Sequence, residues 1–156
     1  MICVGGGFDV LTALFFEASR IRAVEINAAT IEIVTSTFAE YFRPWVEDPR
    51  VELVAGEGRH HLTAIDERFD VLQLSGVDSY SGTAGAAHVF SESYLYTEEA
   101  WDLYLSRLTD DGMVCMMRLE LHPPREMLRA MTTAVAALLL PAAVVTLSAI
   151  ALPKCR

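Results

Sequence analysis

The chain has 156 residues and a formal net charge of −9 at neutral pH; 53% of its residues are hydrophobic and 21% are charged. This composition predicts a globular chain, long enough for one domain over residues 1–156, and excludes an intrinsically disordered one. The acidic balance and the lack of a basic run argue against a nucleic-acid partner, because phosphate contacts require clustered lysine and arginine.

Apolar strand-like runs alternate with helical patterns along the chain, which is typical of a parallel sheet with helices on both faces. The predicted strands are Ile2–Val4, Ile21–Glu25, Val51–Val54, Phe69–Leu74, Met113–Leu119 and Val144–Ile150. The predicted helices are Asp9–Ala18, a segment capped by Asn27 and ending near Phe42, Arg59–Ile65, Ser93–Leu108, and a last helix that Pro123 and Pro124 open.

Loops separate these elements at Pro44–Pro49 and at the turn Asp110–Gly112, and a long loop rich in Gly, Ser and Ala runs from Ser75 to about Ser91. A loop of that length in a domain is usually functional. We therefore expect an α/β fold with a doubly wound, mostly parallel Rossmann-like sheet of about six strands. We expect the domain to be truncated at both ends, as a fragment of a longer protein.

The apolar segment Ala134–Leu152 is long enough to raise the alternative of a membrane span. Pro141 divides it into a helical and a β-branched half, so a helix followed by a buried strand is favoured over membrane insertion. The three cysteines lie far apart and the histidines lack metal-ligand spacing, which predicts a reducing, cytoplasmic location and no metal.

The glycine run Gly5, Gly6 and Gly7 follows the first predicted strand, and Glu25 ends the second. Glycines let backbone N–H groups approach a ligand, and an acidic residue about 20 positions later is typical of ribose binding. A plain glycine turn and a solvated carboxylate are the alternatives. The position of Glu25 at the carboxyl edge of the sheet favours ribose binding, whereas the glycine run alone fits a ligand-binding turn and a plain turn equally well.

Two further groups of polar residues follow the third and fourth predicted strands. Glu57, next to Gly58, either contacts an adenine amino group or caps the following helix. Asp78 is a candidate base for an amine substrate, or a turn-forming residue in a Ser/Gly-rich loop. Tyr80 is a candidate pocket residue, or ordinary packing near a loop.

Together these residues resemble the polyamine (spermidine/spermine) synthase family of the class I S-adenosylmethionine-dependent methyltransferase superfamily. Val4-Gly5-Gly6-Gly7 looks like that family's glycine-rich loop, and Val24-Glu25-Ile26 like its ribose-binding segment. Asp48-Pro49-Arg50-Val51 with Gly56-Glu57-Gly58-Arg59 is similar to its "DPRV…GDGR" stretch. The resemblance covers about residues 2–120.

The resemblance implies a domain that binds S-adenosylmethionine or its decarboxylated form and transfers an aminopropyl group to a small-molecule amine. It places Asp78 on the second aspartate of the family's "DSSDP" loop and Ser75 on the first, which the family uses to deprotonate the amine. Asp9 would take the part of the family's acid that lies near the methionine portion of the ligand. Gln73 and Ser75 would assist the transfer by hydrogen bonding.

Two alternatives stay open beside aminopropyl transfer: a methyltransferase with another acceptor, and a non-catalytic adenosyl-binding module on the cytosolic face of a membrane-fused protein. Ser75 favours the non-catalytic module. A homodimer is the expected assembly.

Overall fold

Helices alternate with parallel strands through residues 1–76, 94–117 and 123–139, which the computed structural model describes. The helices are α1 Phe8–Phe15, α2 Ala28–Glu32, α3 Ala39–Val46, α4 Gly58–Ala64, α5 Glu98–Ser106 and α6 Arg125–Leu139. The strands are β1 Ile21–Glu25, β2 Val51–Ala55, β3 Phe69–Ser75 and β4 Leu108–Met117. A π-helical turn, Ile33–Thr37, lies between α2 and α3, and a 3₁₀ turn, Tyr94–Tyr96, precedes α5. The chain divides into two compact units, Met1–Glu67 and a second that begins at Arg68.

In the first unit β1 pairs in parallel with β2, from Ile21 opposite Val51 to Glu25 opposite Ala55. Strand β1 is buried at every position except Arg22, which is partly exposed. Burial of successive residues is typical of a parallel strand that is covered on both faces. The predicted strand Ile2–Val4 is shorter in the structure, where it is a single parallel bridge between Ile2 and Val24. The extended run stops there because Cys3 and Gly5 adopt positive φ angles of 63° and 52°.

The predicted helix that Asn27 opens is confirmed at its start, where the Asn27 side chain accepts a hydrogen bond from the Ala29 N–H at 3.0 Å. Its predicted end near Phe42 is wrong, because α3 continues to Val46 with Pro44 inside it. A proline within a helix costs about 3 kcal/mol. The burial of Trp45, which is 1% exposed and packs in the core of this unit, offsets that cost.

The Asp48-Pro49-Arg50 sequence sets the start of β2 through a local clamp. The Asp48 carboxylate accepts hydrogen bonds from the Arg50 backbone N–H, Nε and Nη2 at 2.9, 2.9 and 2.8 Å. These contacts to Arg50 lower the pKa of Asp48 to about 2. The Arg50 carbonyl in turn accepts the Ile21 N–H at 2.7 Å, so the clamp fixes where β2 begins beside β1.

In the second unit β3 pairs in parallel with β4, but the register shifts between Phe69 opposite Leu108 and Val71 opposite Met113. The predicted turn at Asp110–Gly112 therefore lies inside β4 as an irregularity, and the strand begins earlier than Met113. A side chain at position 112 would place its Cβ 2.8 Å from the Phe69 carbonyl oxygen, which explains the glycine. The bulge accommodates extra residues that a regular ladder would exclude.

Both described helices of the second unit correspond to predicted ones, although α5 begins later than predicted. Helix α5 begins at Glu98, where the Thr97 side chain accepts the Ala100 N–H, and not at the predicted Ser93. Helix α6 buries Ala130, Ala134 and Ala137. The predicted strand Val144–Ile150 and most of the long predicted loop lie outside the described residues. Within the described ranges, no helix is long and apolar enough to cross a membrane.

A histidine on α4 lies beside a charged cluster at the amino ends of β1 and β2. Arg22 pairs with Glu52 at 2.8 Å and with Glu67 at 3.1 Å. Nε2 of His61 is buried without a hydrogen-bond partner among the described residues. Burial, and then the charge of Arg22, lower the pKa of His61 below 6.5. His61 therefore binds a proton less readily in the folded protein than in the unfolded chain.

We expect the free energy of unfolding to increase as the pH rises from the lowered pKa of His61 to about 6.5. In this range the histidine is protonated more in the unfolded chain than in the folded protein, so the unfolded state loses its advantage as the pH rises. The same contribution to the free energy of unfolding is lost when the pH falls from about 6.5 toward the lowered pKa. His61→Gln should remove this part of the pH dependence, measured by urea denaturation between pH 5 and 8. His60→Gln, a change at the exposed neighbour, serves as the control. An unaltered profile in the His61 variant would refute the assignment.

Candidate functional site

The predicted site residues fall in both units, and each group has its own local arrangement. Those of the first unit lie at the carboxyl ends of β1 and β2, where ligands bind in open α/β folds. The strand ends are joined by a hydrogen bond from the Gly56 N–H to the Glu25 carbonyl at 2.9 Å. This bond places the Gly56-Glu57 segment, which follows β2, beside the end of β1.

The Glu25 carboxylate connects the glycine loop to the start of α2. Its Oε2 accepts a hydrogen bond from the Gly5 N–H at 3.0 Å, and its Oε1 accepts one from the Asn27 N–H at 2.8 Å. The residue is only 6% exposed. Since each carboxylate oxygen has two lone pairs, both oxygens retain the capacity to accept one more hydrogen bond. Glu25 thus holds the glycine loop against the end of the strand. Its remaining lone pairs could accept hydrogen bonds from the two hydroxyls of a vicinal diol.

The three glycines of the loop differ in their surroundings. Gly5 has a φ of 52° and no atom within 4 Å of a Cβ placed on it, while the nearest atom to such a Cβ on Gly6 is 3.9 Å away. Gly7, the N-cap of α1 with a φ of 82°, would place a Cβ 2.4 Å from Cε2 of Trp45. Gly5 and Gly6 are therefore open to a ligand, whereas Gly7 is closed on its inner side by the indole.

Asp9 lies in the first turn of α1, two residues after Gly7, and is partly buried. A negative charge there interacts favourably with the helix N-terminus. The structure therefore places Asp9 next to the glycine loop, but its predicted role toward a ligand stays a prediction.

Glu57 caps α4, as one of its two interpretations predicted. Its Oε1 accepts the Arg59 N–H at 2.8 Å and its Oε2 accepts the His60 N–H at 2.7 Å. The next residue, Gly58, is buried, and a Cβ on it would lie 2.5 Å from Cγ2 of Ile2. Helix packing thus accounts for glycine at position 58. The adenine contact of Glu57 and the cofactor contact of Gly58 remain predictions.

In the second unit Gln73 and Ser75 meet at the carboxyl end of β3. Nε2 of Gln73 donates a hydrogen bond to Oγ of Ser75 at 2.6 Å, and Ser75 is 9% exposed. The pair carries no charge, so it can orient a substrate by hydrogen bonding but cannot hold a proton at neutral pH. Asp78 and Tyr80, the other two predicted residues, lie outside the described residues.

Among the residues that the structure describes, no group of three or more His, Cys, Asp or Glu side chains is arranged to hold a metal ion. Two participants in the site were not predicted from the sequence. The Asn27 N–H completes the partners of Glu25, and Trp45 lies beneath Gly7. A capping residue directly after the strand was a usable signal for Asn27, but no spacing rule points from a glycine turn to a tryptophan 38 residues later.

Comparison with known proteins agrees with this geometry. A model of the spermine/spermidine synthase domain matches residues 1–154. The chain is 25% identical over 116 residues to a polyamine aminopropyltransferase of Korarchaeum cryptofilum, covering 73% of this chain and 33% of that protein. It is 28% identical over 123 residues to polyamine aminopropyltransferase 2 of Pseudomonas aeruginosa, covering 77% of this chain and 33% of that protein. The chain thus spans about a third of the length of these curated relatives.

Solved structures show the same fold. Spermidine synthase in complex with the transition-state analogue AdoDATO superposes with a TM-score of 0.65 at 17% identity, covering 87% of this chain and 42% of that one. Spermidine synthase from Thermotoga maritima gives a TM-score of 0.65 at 20% identity, covering 87% of this chain and 43% of that one. The predicted Rossmann-like α/β fold is confirmed. Because the family model covers nearly the entire sequence, the chain belongs to the spermine/spermidine synthase domain family.

Proposed function

We propose that this chain is the adenosyl-binding part of an aminopropyltransferase, which uses decarboxylated S-adenosylmethionine and a small-molecule amine. The observation that carries the proposal is the Glu25 carboxylate, held at the end of β1 by the N–H groups of Gly5 and Asn27. This arrangement sits in a chain whose relatives are named polyamine aminopropyltransferases. No metal takes part in the proposed reaction.

The proposed reaction is a nucleophilic substitution. The amine nitrogen attacks the aminopropyl carbon bound to the sulfonium sulfur, the carbon–sulfur bond breaks, and the sulfur leaves with the bonding electrons as methylthioadenosine. The amine proton passes to a base. Such a reaction depends mainly on positioning of the two substrates and on removal of that proton.

The residues of the first unit would bind the adenosyl part. The remaining lone pairs of Glu25 would accept the ribose hydroxyls, since a carboxylate accepts two donors from a diol. The open sides of Gly5 and Gly6 would admit the chain attached to sulfur. Asp9, at the start of α1, would attract its amino group, and Glu57, next to Gly58, would lie toward the adenine.

The residues of the second unit would serve the acceptor. Because Ser75 and Gln73 form a neutral pair, proton removal falls to another group, and Asp78 is our candidate, with Tyr80 lining the acceptor pocket. The neutral pair is also the observation that favours a second candidate, transfer of a methyl group from S-adenosylmethionine to another acceptor. It equally fits a non-catalytic adenosyl-binding module. The widely spaced cysteines support a cytoplasmic location, and a homodimer is the assembly we propose.

Calorimetric titration with S-adenosylmethionine, its decarboxylated form and methylthioadenosine tests the proposal. Preference for the decarboxylated ligand would support aminopropyl transfer. Preference for S-adenosylmethionine would support methyl transfer or sensing. If none of the three ligands binds, the proposed adenosyl site is wrong.

Glu25→Gln should weaken methylthioadenosine binding by about 1–3 kcal/mol, because the amide N–H₂ replaces a carboxylate oxygen that would accept a ribose hydroxyl. Calorimetry gives the affinity, and urea denaturation gives the accompanying loss of stability. Glu52→Gln is the matched control, since Glu52 lies at the opposite, amino end of the neighbouring strand. Equal affinity of the Glu25 variant and the natural protein would remove Glu25 from the site.

Ser75→Asp should raise the rate of aminopropyl transfer to a diamine by about 10-fold or more, because it adds a proton acceptor where Gln73 can orient it. Ser75→Ala, which removes the hydroxyl and adds no base, is the control. The measurement is release of methylthioadenosine under saturating ligand. If the aspartate variant is no faster than the alanine variant, position 75 is not near the attacking amine.

Asp78→Asn should lower turnover by about 10²- to 10⁴-fold, the usual contribution of a general base, while methylthioadenosine affinity stays unchanged. Turnover and affinity are measured on the same preparation. Turnover that survives the substitution would exclude Asp78 as the base.

A further inference from the structure

Trp45 closes the inner side of the glycine loop. A Cβ on Gly7 would lie 2.4, 2.5 and 2.8 Å from Cε2, Nε1 and Cζ2 of the indole. These atoms lie along one edge of the indole, where its two rings join. The indole therefore fills the space that any side chain at position 7 would need.

The indole is itself held in a fixed position. Trp45 is 1% exposed and packs in a core with Val4, Val10 and Val34. Its ring meets that of Phe42 edge to face, with a centroid separation of 6.4 Å. A side chain packed on all sides cannot shift without moving its neighbours, so the surface it offers to Gly7 is rigid.

The position of this surface reaches Glu25 through the loop. The Gly7 N–H donates to the Val4 carbonyl at 2.9 Å, which makes a tight turn around Gly5 and Gly6. The Gly5 N–H donates to Glu25 at 3.0 Å. A loop that sank toward a smaller side chain at position 45 would carry the Gly5 N–H away from the carboxylate.

We infer that Trp45 is a positioning residue for the glycine loop, which acts from beneath Gly7 and thereby sets the affinity of the site at Glu25. This effect on affinity rests on the proposed function, since it requires an adenosyl ligand at the loop. Trp45 is not a catalytic residue, because its indole faces the protein core.

Trp101 provides a matched control. It is also 1% exposed, lies in α5 of the second unit, and likewise has an indole N–H without a hydrogen-bond partner among the described residues. Trp45→Phe and Trp101→Phe therefore remove the same atoms from equally buried places. Neither substitution breaks a hydrogen bond of the indole nitrogen that the structure shows.

The first measurement is the dissociation constant for methylthioadenosine, with urea denaturation in parallel. Trp45→Phe should raise the constant about 10-fold or more, because displacement of binding groups by about 1 Å has effects of this size or larger. Trp101→Phe should change it less than about 2-fold at a similar loss of stability. Similar changes in both variants, or none in the Trp45 variant, would overturn the inference.

A double-mutant cycle tests the loop contact without any ligand. Gly7→Ala should lower the urea midpoint less in a Trp45→Leu background than in the natural protein, because the leucine relieves the clash and leaves only the strain of the positive φ. Gly5→Ala, which has positive φ but no nearby atom, should lower it equally in both backgrounds. Equal effects of Gly7→Ala in both backgrounds would overturn the role of Trp45. If the natural protein binds no adenosyl probe, the proposed function fails, and this cycle alone decides the loop contact.

Discussion

The arrangement of the first unit depends on one buried carboxylate. Glu25 is buried at the end of a strand, where an ionised group is costly unless its oxygens accept hydrogen bonds. The N–H groups of Gly5 and Asn27 meet that requirement, and they come from the two segments that flank the strand end. The same contacts that make the burial of the charge tolerable also fix the loop and the helix start around it. Order at the site and stability of the unit therefore have a common origin.

The parts of the fold that local chemistry determines were predictable from the sequence. Strand β1, the Asn27 cap and the closeness of the glycine loop to Glu25 follow from apolar runs, a capping side chain and the spacing of glycines and acid. Pro44 and the Asp110–Gly112 segment were predicted wrongly, because each is governed by a distant partner. Pro44 remains helical because its neighbour Trp45 is buried in the core, and Gly112 lies in a strand because β3 passes close to it. The two predicted residues Asp78 and Tyr80 lie outside the described residues, so their roles remain predictions from the sequence.

The carboxyl end of β3 carries a polar but uncharged pair. The Ser75 hydroxyl accepts a hydrogen bond from the Gln73 amide, at the position where the resemblance implies an aspartate in the family. A neutral pair attracts an ammonium group less than a carboxylate does, since the long-range attraction of a full charge is absent. In the proposed reaction, the choice of acceptor would therefore depend more on groups outside this pair than it would with an aspartate at position 75.

The π-helical turn Ile33–Thr37 has a consequence for the phase of the helical segment that follows it. Such a turn usually contains one residue more than a regular α-helix would. Each residue of an α-helix turns the chain by about 100°. Because the wider turn absorbs the extra residue, loss of a single residue there would give a regular α-helical turn and leave the direction of the following side chains nearly unchanged. Loss of a residue inside α3 before Trp45 would instead rotate Trp45 by about 100° relative to the start of that helix. The π-helical turn is therefore a place where this segment can change its length by one residue and still present the same side chain to the glycine loop.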